Sequence, residues 1–340
     1  AAAGNAGESL YVEDVFSTYL YTGNGATQTI TNGIDLDGEG GMVWKKQREA
    51  VSGGFSHNVL ADTERGAANA IFSDLTDPQY SLNPITSFNS DGFSVTDNNS
   101  AGLNLSGKKY ASWTFRKAEK FFDVVTYTGT GVDPMSVPHN LGVTPGCVII
   151  KRTDTTADWQ VMFPGLIADG YGGTGRMRLN TTAAYAATGW TSIADSTHIT
   201  IPTNLAEINA SGGTYVAYLF ASDAGGFGDD GSESIIKCGS FTAPSQTTFD
   251  IALGFEPQFF LVKKTSGSGD WYLIDVMRGF NSDANAGPQN KVLRTNTSGA
   301  EGAEEYYRPT ATGIQGWHLA SADYIYIAIR RPMKTPESGT

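Results

Sequence analysis

The feature that most limits what this chain can fold into is a phrase that returns three times. Tyr-Leu-Tyr-Thr-Gly-Asn-Gly at residues 19–25 reappears as Val-Thr-Tyr-Thr-Gly-Thr-Gly at 125–131 and, more loosely, as Gly-Ser-Phe-Thr at 239–242. Each copy opens a block that closes on an aromatic-rich strand, at 110–116, 215–220 and 324–330. Three markers test the register. Lys45, Lys151 and Lys263, taken as the lysines that close the core strand, are separated by 106 and 112 residues. The first tyrosines of the closing strands, Tyr110, Tyr215 and Tyr324, are 105 and 109 apart, and the opening aromatics Tyr21, Tyr127 and Phe241 are 106 and 114 apart. Chance similarity does not hold one period at three independent markers, so we read an internal triplication with a repeat of about 105–112 residues.

Within each block the apolar runs are short and are punctuated by Gly, Asn and Pro. The turn signals Asn24-Gly25 and Asn32-Gly33 are of the hairpin type. The chain has 41 glycines and 13 prolines, and no long run carries an i, i+3, i+4 apolar stripe, so helix is expected to be minor. Seven or eight short strands per block read as an all-β fold of three tandem β-sandwich or jelly-roll-like modules. Two strand patterns predict two packed sheets. Val148-Ile-Ile150 and Phe260-Leu-Val262 are continuously apolar, as a strand covered on both faces would be. The run Tyr324-Ile-Tyr-Ile-Ala-Ile329 alternates rings with aliphatics, so its faces meet different surroundings.

The expected division is a lead-in at 1–14, modules at 15–118, 119–224 and 235–334, a Gly/Asp linker at 225–234 and a tail at 335–340. Only Lys117-Ala-Glu-Lys120 joins the first two modules, which predicts rigid packing. The stretch 222–234 is rich in Gly and acid and reads as a hinge. A shared interface among the modules is expected nonetheless, because their aromatic strands need covering. The Ala-rich start and the Pro-Glu-Ser-Gly-Thr end read as the edges of a piece of a longer chain.

Net charge is −12, from 23 basic and 35 acidic residues, which disfavours nucleic acid as a partner. No apolar run reaches about 18 residues, so no spanning helix and no membrane insertion are expected. Cys147 and Cys238 read as buried free thiols, with a disulfide as the alternative. The four histidines, His57, His139, His198 and His318, show no metal-ligand spacing, and no metal or other cofactor is expected. Acidic residues Asp229, Asp230 and Glu233 are the one candidate for Ca²⁺, though without the spacing of a known loop. Asp62/Arg65 and Asp275/Arg278 recur with the repeat, which points to turn-stabilising ion pairs rather than to catalysis. No catalytic residues are assigned.

Trp44, Trp113, Trp159, Trp271 and Trp317 lie in repeat strands and read as core. Trp190, Tyr171, Tyr185, Tyr306 and Tyr307 lie where the repeat is weakest, so they are the candidate ligand-binding residues, with a sugar face as the ligand.

The phrases Phe-Asp-Val-Val-Thr-Tyr-Thr-Gly-Thr-Gly at 122–131, Leu-Gly-Phe-Glu-Pro at 253–257, Asp-Asp-Gly-Ser-Glu-Ser-Ile-Ile-Lys-Cys-Gly at 229–239 and Ile-Ala-Ile-Arg-Arg-Pro-Met-Lys at 327–334 carry a resemblance. Over residues 11–334 the chain resembles a triplicated β-repeat family of virion and tail-fibre-like proteins in tailed bacteriophages, many of them marine. That resemblance implies a non-enzymatic structural part of the particle, in the tail or a fibre. Other virion proteins, and a glycan of the host surface, are the partners it implies. It transfers no catalytic or binding residue. It also implies a homotrimer, whereas the three modules of one chain are an alternative source of threefold symmetry. A carbohydrate-binding adhesin and a polysaccharide depolymerase are the competing functions.

Overall fold

The computed structural model of the protein describes residues 9–49, 56–97, 103–164, 175–187, 194–201, 205–280, 290–304, 306–318 and 320–332. Strand accounts for 48% of the chain and helix for 3%, so the fold is all-β. Among the described residues helix occurs as single turns such as Val12–Val15, whose Val12 and Val15 are fully buried.

Each block contributes one large antiparallel sheet, and the three sheets share a strand order. In the first, Phe16–Thr22 pairs with the closing strand Lys109–Arg116, which pairs with the core strand Gly41–Gln47; Asn58–Asp62, Asn69–Phe72 and Tyr80–Ser81 follow. In the second the order is Phe122–Thr128, Thr214–Phe220, Cys147–Arg152, Gln160–Met162 and Met177–Arg178. In the third it is Ile236–Ala243, Ala322–Arg330, Pro257–Lys264, Trp271–Asp275, Asn290–Arg294 and Gly302–Glu304. A small sheet accompanies each: Gln28–Thr31 with Gly92–Val95 and Ser87–Asn89, then Met135–Pro138 with His198–Ile201, then Thr248–Ala252 with Gly313–Trp317 and Tyr307–Thr310.

Strand alternation explains the layering. Along Ala322–Arg330, Ile325, Ile327 and Ile329 enter a cluster shared by all three blocks, whereas Tyr324, Tyr326 and Ala328 face a core private to the third block. Along Gly41–Gln47, Met42 and Trp44 join the shared cluster, while Val43 joins a private one with Ile30 and Phe93 of its small sheet. Each of these sheets is therefore covered twice, by its own small sheet and by the other blocks. That double cover is why the core strands carry unbroken apolar runs, Met42–Trp44, Val148–Ile150 and Phe259–Val262. The opening and closing strands also meet through one repeated ring stack, Tyr21 on Tyr110, Tyr127 on Tyr215 and Phe241 on Tyr324, with centroids 5.0, 4.9 and 5.1 Å apart.

The pairing register corrects one sequence marker. Trp44 faces Trp113, Ile149 faces Tyr218 and Leu261 faces Ile327, so the counterpart of Lys151 and Lys263 is Lys46, not Lys45. The doublet Lys45-Lys46 hides this, because both lysines are buried. Lys45 donates instead to Leu103 O within its own block, at 2.8 Å.

Polar contacts between blocks run in a ring. Lys46 Nζ of block one donates to Ser298 O of block three at 3.3 Å. Lys151 Nζ of block two donates to Thr76 O of block one at 3.2 Å, and Lys263 Nζ of block three to Thr182 O of block two at 3.3 Å. The fourth strands repeat the rotation one level away. Asn58 Nδ2 reaches Arg294 O and Thr297 O at 3.0 and 2.9 Å. Trp159 Nε1 reaches Phe72 O and Leu75 O at 3.0 and 3.2 Å, and Trp271 Nε1 reaches Arg178 O at 2.9 Å. A third set runs the same way round from donor to acceptor, now between side chains. Asp62 Oδ2 accepts from Tyr218 OH at 2.7 Å, and Asp275 Oδ2 accepts from Trp113 Nε1 at 3.0 Å. At the remaining corner the equivalent positions hold Phe163 and Ile327, both in the shared apolar cluster. Buried donors need acceptors, and here the acceptors belong to the neighbouring block.

The four buried lysines make stability depend on pH. Burial pushes Lys45 down to about 7 and each of Lys46, Lys151 and Lys263 down to about 8. An unfolded lysine titrates near about 10.4. The unfolded chain therefore binds more protons than the folded one between about pH 7 and about pH 10, and stability rises with pH across that window. Above about pH 10 the sign reverses, because burial raises Tyr21, Tyr127, Tyr218 and Tyr307 well above their ordinary value. The expected urea midpoint climbs from pH 7 to pH 9.5 and falls by pH 11. A midpoint that declines steadily over this range would contradict the assignment.

The stretch read as a hinge is folded against the body. Phe227 is buried in the shared cluster and bridges to Glu233, Gly228 N donates to Leu10 O at 2.8 Å, and Glu233 pairs with Arg330. Glycine there serves turns with positive φ at Gly225, Gly226, Gly228 and Gly231, not flexibility. Cys147 and Cys238 are free and buried.

Candidate functional site

Two of the candidate ligand-binding residues, Tyr171 and Trp190, lie outside the described residues. The other three do not form one site. Tyr185 is half-buried against the shared cluster, with its amide donating to Thr265 O at 3.0 Å. Tyr307 is a core residue of the third block. Its hydroxyl meets His318 Nε2 at 3.0 Å, and Tyr324 OH meets the other ring nitrogen at 3.3 Å. Burial, and then the Lys264 charge, push His318 down to about 4, so this histidine is neutral and acts as a packed ring.

Tyr306 is different. It is half-exposed and stacks on His318 with centroids 5.1 Å apart and planes 7° from parallel. Beside it stands Trp317, which the sequence placed in the core and which is instead 39% exposed. Strand alternation gives the reason. Along Gly313–Trp317, Ile314 points into the private core of the third block, so Gln315 and Trp317 share the opposite face. Thr248 is the cross-strand partner of Trp317, and Arg308 is that of Gln315. These residues, with Gly316, line a cleft of about 170 Å³ on the outer side of the small sheet. Trp317 N donates to Tyr306 O at 3.0 Å, which ties the two aromatic positions together through the backbone.

Trp317 also breaks the repeat. Gly92 and Gly313 start equivalent strands, and a Cβ on either would lie 2.0 Å from a carbonyl of the partner strand. Counting from those glycines, the position of Trp317 is held by Thr96 in block one. The signal in the sequence is strand phase: Trp317 lies three residues from Ile314 and so on the opposite face.

A second cleft, of about 390 Å³, lies where blocks one and two meet and is lined by Thr76, Arg152, Asp158 and Glu207 among others. Its cation is already engaged: Arg152 Nε meets Asp154 Oδ1 at 2.8 Å and NH1 meets Ala206 O at 3.2 Å.

The recurring Asp–Arg pairs are structural. Asp62 and Asp275 have no solvent exposure, and each accepts from its own arginine, Arg65 Nε at 2.7 Å and Arg278 Nε at 2.6 Å. A substrate has no approach to either carboxylate. The candidate Ca²⁺ ligands are held apart: Asp229 meets Tyr11 OH, Asp230 accepts from Ser232, and Glu233 pairs with Arg330. Among the described residues no three His, Cys, Asp or Glu side chains gather as a metal site would require. No helix among them is long and apolar enough to cross a membrane.

A family model described as a domain of unknown function, DUF7483, matches residues 12–329. The chain belongs to DUF7483. The match begins at the helical turn Val12–Val15 and ends one residue short of the end of the last closing strand, Ala322–Arg330. The family unit is thus the whole three-block body, in keeping with a core that no block owns alone. No curated protein matches this DUF7483 chain.

Proposed function

We propose that this DUF7483 chain is a non-enzymatic structural component of a tailed-bacteriophage virion, placed in the tail or a fibre and in contact with other virion proteins. The observation that carries the reading is the ring of contacts between blocks. Buried lysine, tryptophan, asparagine and aspartate side chains, the groups from which an active site is ordinarily made, are committed to backbone and side-chain partners on the next block. Such a body resists shear between its modules, which suits a part that transmits force. The phrases that resemble tailed-phage proteins supply the setting.

The test is direct. Purified particles of the phage that encodes the chain are digested and their peptides assigned by mass spectrometry, and the three-block density is sought in a particle image reconstruction. Stoichiometric recovery of its peptides, together with the density on the tail, is the expected result. Absence from purified particles would overturn the proposal.

A further inference from the structure

We infer that the cleft on the outer face of the third block binds one neutral pyranose ring, with the Trp317 indole as the stacking platform. This goes beyond the structural reading above and does not depend on it.

Four observations converge on a sugar. First, a large aromatic ring stands on a strand rather than on a loose loop, 39% exposed, at a position where the first block carries Thr96. The departures at buried positions, such as Asn58 for Trp159 and Phe163 for Asp62, are covered by packing, whereas this one stands at the surface. Second, the apolar platform is bordered by Thr248, Arg308 and Gln315, a hydroxyl, a guanidinium and an amide. That combination of donors and acceptors suits vicinal hydroxyls beside an apolar ring face. Third, the cleft of about 170 Å³ is smaller than the ~300–1,000 Å³ of pockets that enclose drug-sized molecules, so it accommodates a single ring of a longer glycan. Fourth, the floor is rigid. The strand Gly313–Trp317 is paired on both sides, and Tyr306 is fixed by its stack on His318 and by the Trp317 N to Tyr306 O bond. A preformed floor lowers the ordering cost of binding. The choice of a neutral sugar follows from the net charge of −12, which repels polyanionic glycans.

The probes are methyl glycosides of glucose, galactose and N-acetylglucosamine, with sodium glucuronate as the acidic arm. Binding to the intact chain is read by saturation-transfer NMR and by tryptophan fluorescence. The expected result is millimolar binding of at least one neutral glycoside, weakened at least tenfold by Trp317→Ala and partly retained in Trp317→Phe. Tyr306→Ala is expected to weaken it less. Because Trp317 lies on the outer face, the Trp317→Ala chain should keep its thermal midpoint, which separates loss of the site from loss of the fold. Absence of binding by all three neutral glycosides overturns the inference, as does binding unchanged in Trp317→Ala. Tighter binding of glucuronate than of every neutral probe overturns the stated ligand class.

Discussion

Asp275→Ala is expected to lower the unfolding free energy by about 3–5 kcal/mol, the usual consequence of stripping one partner from a buried ion pair. The carboxylate holds Arg278, whose side chain has no solvent exposure, through Nε at 2.6 Å and through the backbone N–H at 2.9 Å. It also accepts from Trp113 Nε1 in the first block at 3.0 Å, and the guanidinium carbon lies 5.3 Å from the centre of a Trp113 ring. Alanine would leave a buried cation with only the Leu273 carbonyl and Glu301 to answer it, and would orphan an indole N–H in a neighbouring block. The double variant Asp275→Ala/Arg278→Met removes charge and partner together and should recover most of the loss. Urea midpoints of the parent, the single and the double variant measure this. A loss below about 1 kcal/mol for the single variant, the range of an exposed pair, would show that the pair does not hold the blocks together.

Trp159→Ala is the second large effect, at about 3–5 kcal/mol for truncating a wholly buried tryptophan. Trp159 is 0% exposed and belongs to block two by sequence, yet its indole N–H is shared between Phe72 O and Leu75 O of block one. The distribution of the effect matters as much as its size. With no core owned by block two alone, the variant should shift one unfolding transition of the whole chain rather than detach one block. Coincident melts by far-ultraviolet circular dichroism and by tryptophan fluorescence check this. Two resolved transitions, with block two melting first, would mean that the blocks are independent domains.

Much of the fold could be read from local pattern. The closing strand near residues 324–330 announces two environments through its alternation of rings and aliphatics, and its two faces do reach two different clusters. The unbroken apolar runs of the core strands announce cover on both sides, which the shared cluster and the small sheets supply. What pattern could not supply was register inside an ambiguous doublet: Lys45 and Lys46 are both buried, and only pairing with the closing strand separates them. Composition misled at 222–234, where Gly and Asp resemble a flexible linker, while the one large apolar residue, Phe227, carried the opposite signal by entering the core. For the candidate site, Tyr306 was legible as a ring outside the repeat, but Trp317 was assigned inward because its strand is a repeat strand. The contacts between blocks were illegible for a simple reason. Most of their acceptors are main-chain carbonyls, such as Thr76 O and Thr182 O, which every residue possesses.

The break in the repeat at Trp317 has a consequence for how such a molecule can change. An assembly of three identical subunits displays every surface substitution in triplicate, so one tolerable at two corners but harmful at the third is lost. Three similar sheets carried in one chain escape that constraint. One block carries an indole at Trp317 where another has Thr96, and Phe163 and Ile327 are apolar where their counterparts form the hydrogen bonds Tyr218–Asp62 and Trp113–Asp275. One chain with three sheets of the same strand order leaves each free to differ from the others.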